Sequence, residues 1–200
     1  MRDKYGVGGD PACYPGTDVL QNRLGLHDPE LLAAAEAELA AIAVEHIEIN
    51  GPPFDFPYLC GLHRQLFGEV YEWAGEIRGV DISKGGTRFC AVSRIVPEAT
   101  RLLDELADVQ YFLGLDRPSL VCRSAELYGE LNMVHPFRDG NGRALRLFLE
   151  HLIVACGHEV TWGPMDREEW ISACIAAVDC NYEPLITLLD RCIGSAITDG

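Results

Sequence analysis

Apolar positions recur along this chain mostly at helical spacing, and one stretch switches to alternation. Asp28-Pro29 opens the first periodic run, since Asp suits a helix cap and Pro is tolerated in a first turn. Leu32, Ala35, Leu39, Ile42 and His46 follow on one side, predicting a helix to about Ile49, where Gly51-Pro52-Pro53 ends it. A second helix is expected from about Pro57 to Tyr71, with Leu59, Leu62, Leu66 and Val70 inward. Helices resume after Pro97, using Leu102, Leu106, Val109 and Leu113, and again after Asp116 and Pro118, using Leu120, Leu127, Leu131 and Val134. The stretch GRALRLFLEHLIVAC, from Gly142 to Cys156, is apolar nearly all round and predicts a central, buried helix, with Gly157 at its stop. Asp166, with Glu169 three residues on, has capping-box spacing and starts a helix to about Val178; a last helix follows Pro184.

Between Gly79 and Val92 the period changes to two. Val80 and Ile82 alternate with polar residues, Lys84-Gly85-Gly86 supplies a turn, and Phe89 and Ala91 alternate on the return. This predicts a short β-hairpin, too small to be stable without helices or a partner to lean on. The first 27 or so residues are rich in Gly and Pro and read as irregular. No internal repeat appears, so residues 1–200 are expected to form one all-α unit carrying one small hairpin.

Composition narrows the function. Hydrophobic residues at 48% and charged residues at 24% are the balance of a folded globular chain. Sixteen Lys plus Arg against thirty-one Asp plus Glu leave a net charge of −15, which argues against a protein that grips nucleic acid by phosphate neutralisation. It leaves room for one basic pocket. The opening MRDKYGVGGDPACYPG lacks the apolar core of a signal peptide, and the longest apolar run is too short to span a bilayer. The eight Cys form no C-x-x-C pair, so zinc and redox motifs find little support; most are expected as small buried hydrophobes in a reducing cytoplasm.

The chemistry concentrates just before the buried helix, in HPFRDGNGRALR (135 to 146). Gly140 and Gly142 can adopt positive φ, so the loop can aim successive backbone N–H groups inward. The helix that begins there adds its unpaired N–H groups and the positive end of its dipole. Arg143 and Arg146, three apart, share a helix face close to that terminus, where a cation is unhelpful unless an anion binds. Two of them argue for a polyanion. Asp139 would repel phosphate unless a cation bridged them, and Mg2+ suits one carboxylate plus phosphates and water. His135 can take a proton near neutral pH. Together these residues read as a phosphoryl or nucleotidyl transfer site. The remaining His (27, 46, 63, 151 and 158) have no metal-like spacing and read as surface or core, while Tyr71 and Trp73 read as packing.

At these residues the chain is similar to a known family. HPFRDGNGRALR matches every specified position of the Fic motif H-x-F-x-[DE]-G-N-G-R-x-x-R. LHRQLFGEVYEWAGEIRGVDISKGGTRF (62 to 89) resembles the segment leading into the Fic flap hairpin, and YPGTDVLQNRLG (14 to 25) resembles the N-terminal stretch of short bacterial Fic toxins of the FicT type. The resemblance implies a Fic fold, a helical bundle around a central buried helix, with the hairpin at about 79–92 as the flap. It implies an enzyme that moves AMP from ATP to a Ser, Thr or Tyr hydroxyl of a target protein. By motif position His135 is the base; Asp139 holds Mg2+ against the α- and β-phosphates; Gly140, Asn141 and Gly142 form the anion hole. Arg143 reaches the β-phosphate and Arg146 the γ-phosphate, while Phe137 anchors the loop on the core. Ser83, Lys84, Gly85, Gly86, Thr87, Arg88 and Phe89 of the flap pair with the target's main chain.

Two further expectations rest on the resemblance. Short Fic toxins modify the ATPase subunits of type II topoisomerases, which makes the gyrase B subunit and its topoisomerase IV counterpart the expected targets, with no direct nucleic-acid contact. Many Fic proteins carry an inhibitory helix with [ST]-x-x-x-E-[GN], whose Glu pairs with the second motif Arg. This chain has no match: after Thr100 the expected place holds Asp104, and Glu105 comes one residue late. A small helical antitoxin presenting that Glu to Arg146 in trans is therefore expected. Rival readings keep the fold but transfer phosphate, UMP or phosphocholine, or make the chain a non-catalytic nucleotide-binding module; the intact His135 and Asp139 weigh against the last.

Overall fold

In the computed structural model, which describes residues 11–197, the helices follow one another as α1 (Pro29–His46), α2 (Phe56–Phe67), α3 (Val92–Asp108), α4 (Arg117–Val134), α5 (Asn141–Ala155), α6 (Arg167–Ala177) and α7 (Glu183–Cys192). Two antiparallel ribbons accompany them: β1 (Ser83–Lys84) with β2 (Thr87–Arg88), and β3 (His158–Val160) with β4 (Ile193–Ala196). The flap ribbon is as expected in place, though only Ser83 to Arg88 and Lys84 to Thr87 pair. The second ribbon has no counterpart in the sequence reading. It joins residues far apart along the chain, so no local alternation announced it. Residues 1–10 of the expected irregular segment, and 198–200, lie outside the described residues; the part from 11 to 27 forms one isolated bridge, Cys13 to Leu20.

Four helix starts are capped by aspartate. Asp28, Asp55, Asp116 and Asp166 each accept a main-chain N–H of the following turn. Only half of the expected capping box forms at α6, because Glu169 turns away from Asp166 and pairs with Arg191 at 2.5 Å. Helix α5 differs: Gly140 sits at its N-cap with φ 76° and no side chain caps it. Elsewhere this helix is buried on most sides, through Ala144, Leu145, Leu147, Phe148, Leu149, Leu152 and Ile153. It packs against α2 and α4, with β3 at its end, as the all-round apolar pattern requires.

The departures have local causes. The face of α1 turned inward is Leu32, Glu36 and Ala40, not the expected line through Ile42, which is exposed. The helix is so rich in Ala that periodicity alone cannot orient it. Helix α2 stops at Phe67, four residues short of Tyr71, although Val70 is still buried. Helix α3 starts at Val92, five residues before Pro97, which sits inside it and forgoes the hydrogen bond to the Ser93 carbonyl. After Asp108 the chain enters a 3-10 turn, Gln110–Phe112, with φ of 56°, 55° and 64°. That left-handed turn buries Phe112 and leaves Val109 and Leu113 exposed rather than in the core. Of the eight Cys, all free, only Cys13 and Cys192 are buried; five are half-buried and Cys180 is exposed. The expectation of mostly buried thiols is thereby corrected.

Candidate active site

His135 ends helix α4. It takes the left-handed conformation (φ 47°, ψ 61°) at the C-cap, costly for a residue with a Cβ and characteristic of functional positions. Its Nδ1 lies 3.1 Å from the Asn132 carbonyl, which makes Nδ1 the donor. In the neutral ring the lone pair is then on Nε2. Phe89, from the return side of the flap, stacks on the imidazole at 3.8 Å and 16°. Phe89 therefore faces the site and is set apart from the exposed flap residues Ser83, Lys84, Gly85, Gly86 and Arg88.

The loop from Pro136 to Gly140 is held from below. Phe137 is fully buried and stacks on His63 of α2 at 3.9 Å. The Asn141 side chain clasps the Phe137 backbone in both directions: Oδ1 accepts the Phe137 N–H and Nδ2 donates to the Phe137 carbonyl, each at 2.8 Å. The Asn141 amide is thus committed to holding the loop, and only its main chain can serve an anion. Among the described residues no backbone acceptor takes the N–H of Asn141 or Gly142. Asp139 accepts the Gly140 N–H at 2.7 Å and places its carboxylate beside those donors.

His63 is one residue whose role the sequence does not reveal. Gly75 N–H donates to Nδ1 at 2.9 Å, and Nε2 lies 2.9 Å from the Asp139 carbonyl. With Nδ1 accepting, Nε2 carries the proton and donates to the motif loop. Burial pushes its pKa down to about 4. The folded state prefers the neutral ring, so this contribution is complete above pH 6.5 and is lost as pH falls from 6.5 towards 4. The loss amounts to roughly 3 kcal/mol at the lower end. The denaturant midpoint of the wild type should therefore fall more steeply between pH 6.5 and 4.5 than that of His63→Gln. Equal slopes would refute the assignment.

Arg78 was also missed, and no local pattern marks it. Its buried guanidinium donates to the carbonyls of His135 (2.8 Å), Val80 (2.6 Å), Cys90 and Val134. Its own N–H donates to the Pro136 carbonyl at 2.9 Å, and the Cys90 N–H to that of Met133 at 3.0 Å. One side chain thus ties both legs of the flap to the end of α4. The flap and His135 keep register because they share this cation.

The two motif arginines differ in surroundings. Arg143 lies over the Phe67 ring, 4.6 Å from its centroid, and pairs with Glu36 of α1. Arg146 sits against the Tyr128 hydroxyl, which also accepts from Trp170 at 3.1 Å, and near Cys174. Among the described residues no carboxylate pairs with Arg146. Nor does any group of three His, Cys, Asp or Glu there form a metal cage. A cation at Asp139 would complete its shell with phosphate oxygens and water, a donor set that suits Mg2+.

A loop clasped by its own asparagine, an uncapped helix start behind it and two arginines beside it define a nucleotidyl-transfer class of site. The chain belongs to the Fic/DOC family, whose model matches residues 53–153. It is 38% identical over 98% of its length, and 98% of the relative's, to the probable protein adenylyltransferase Fic of Salmonella typhimurium. It is 36% identical to protein adenylyltransferase VbhT of Bartonella schoenbuchensis, over 94% of this chain and 40% of that longer protein. The Bartonella tribocorum effector BepC, solved with bound AMPPNP, superposes with a TM-score of 0.86 at 27% identity, covering 94% of this chain and 97% of that one. The chain is a protein adenylyltransferase with the fold of that family.

Proposed function

We propose that the chain moves AMP from ATP to a hydroxyl side chain of a target protein, with the motif residues in the following roles. His135 Nε2 takes the hydroxyl proton as the oxygen attacks the α-phosphorus. The new bond is oxygen to α-phosphorus; the bond from the α-phosphorus to the bridging oxygen breaks, and pyrophosphate leaves with its electrons. The N–H groups of Gly142 and Asn141, and the positive end of α5, hold the phosphate oxygens, with Gly140 supplying the backbone turn that aims them. Arg143 serves the β-phosphate and Arg146 the γ-phosphate. Asp139 holds Mg2+, which offsets phosphate charge when bound. The observation that carries this reading is the 3.1 Å contact of His135 Nδ1 with the Asn132 carbonyl, which leaves Nε2 as the acceptor nitrogen of the neutral ring at the end of the loop that presents the anion donors.

The flap's paired segment offers main chain to the target and so places its hydroxyl. For the target we propose the gyrase B subunit and the matching topoisomerase IV subunit, in a cytoplasmic toxin. An acidic chain suits a protein target better than DNA. No described helix is long and apolar enough to cross a membrane. Restraint would come from a small helical antitoxin whose [ST]-x-x-x-E-[GN] glutamate meets Arg146, which lacks an acidic partner among the described residues.

Incubation with Mg2+, purified gyrase B subunit and ATP labelled at the α- or the γ-phosphate tests this directly. Label on gyrase B from the α position alone is expected. Label from γ alone would mean phosphoryl transfer and overturn the reaction. AMP appearing on other lysate proteins, with gyrase B bare, would remove only the target.

A further inference from the structure

Glu36 stands in α1, 107 positions before Arg143, yet its carboxylate ends beside the anion site. The residue is 8% exposed, and both its oxygens are engaged: Oε1 pairs with Arg143 Nη2, and Oε2 accepts the Tyr71 hydroxyl. Tyr71 is itself buried and stacked on Trp73 at 4.3 Å and 19°, which fixes where its hydroxyl points. Burial and the adjacent carboxylate raise the Tyr71 pKa, so it remains a donor at neutral pH. On its other side the Arg143 guanidinium rests on the face of Phe67.

A carboxylate here is costly on two counts. It is largely desolvated, and it adds negative charge next to a site for phosphates. Packing alone would be served better by an apolar side chain, as Leu32 and Ala40 serve it on the same face. What the carboxylate supplies is a fixed direction for Arg143, whose fork has five N–H donors and gives Glu36 one nitrogen. The stacked ring and the ion pair together restrain a long side chain before any ligand arrives, which lowers the ordering cost when it does.

We infer that Glu36, held by Tyr71, is a positioning residue that sets the Arg143 guanidinium for AMP transfer. This rests on the β-phosphate role proposed above for Arg143. The β-phosphate belongs to the departing pyrophosphate, so charge grows there in the transition state. An arginine correctly aimed is then felt more in kcat than in ATP binding.

The test is a double-mutant cycle read in steady-state AMP transfer. Glu36→Ala should lower kcat by about tenfold or more while KM for ATP moves less than about threefold. Tyr71→Phe should shift kcat the same way by less, and Glu36→Gln, whose amide oxygen can still accept from Arg143, should recover part of the loss. In an Arg143→Ala background, Glu36→Ala should cost nothing further. If the two losses multiply, or Glu36→Ala leaves kcat at the wild-type value or above, the positioning role is wrong while the reading of the site stands. Wild-type transfer by Arg143→Ala alone would instead remove the β-phosphate role, and the inference with it. Should Glu36→Ala fail to fold, Tyr71→Phe in the two Arg143 backgrounds carries the same comparison.

Discussion

A His135→Ala variant should lose AMP transfer by at least about 10³-fold, within the range that a positioned general base contributes, while still binding ATP. The separation follows from the geometry. The ring is fixed through Nδ1 to the Asn132 carbonyl and is stacked on Phe89, while the anion donors proposed above are those of Asn141, Gly142 and the arginines further on. Truncation removes the proton acceptor and leaves the loop clasp of Asn141 on Phe137 intact. Nucleotide binding followed by calorimetry, alongside transfer to a protein acceptor, gives the two readouts. Transfer at the wild-type rate would end the assignment of the base. Loss of ATP binding together with transfer would show that His135 supports the loop rather than the chemistry.

Gly140→Ala should be nearly as damaging, by a different route. Gly140 has φ 76°, and a Cβ there would lie 2.5 and 2.7 Å from Phe67 ring carbons and 3.1 Å from His63 Nε2. The backbone strain alone costs on the order of 1–3 kcal/mol. The clash must push the loop off α2, and with it the start of α5. A displacement of about 1 Å in that start misdirects the anion donors and should cost about 10²-fold in transfer. Gly142→Ala is the control for folding, because its Cβ would meet only Arg146 Nη1, at 3.5 Å. Thermal unfolding should show Gly140→Ala several degrees below wild type and Gly142→Ala close to it. Equal melting points for the wild type and Gly140→Ala would contradict the contact.

Much of this molecule was legible in its residues. The number of helices, the burial of α5 and the place of the flap follow from periodicity, because a helix in a core must be apolar nearly all round and a strand leg must alternate. The twelve residues from His135 to Arg146 were legible for the same local reason: a glycine-rich turn, a helix start and two cations act on one another within a few residues of chain. Helix ends drifted where the deciding contact was remote, as at Phe67, where the chain leaves the helix while Val70 stays in the core. The inward face of α1 could not be read from its alanines. It was settled by Glu36 meeting Arg143 and Tyr71, partners 107 and 35 positions away. His63 read only as one of the surface or core histidines until Gly75 and Asp139 were seen on its two nitrogens. Arg78 carried no signal at all, since its acceptors are main-chain carbonyls that every residue possesses. What the sequence determined by itself is the set of motif residues proposed to react, whose chemistry is local. What only the tertiary structure decided is the set of supports that aim them, because a hydrogen bond between distant residues leaves no period in the chain.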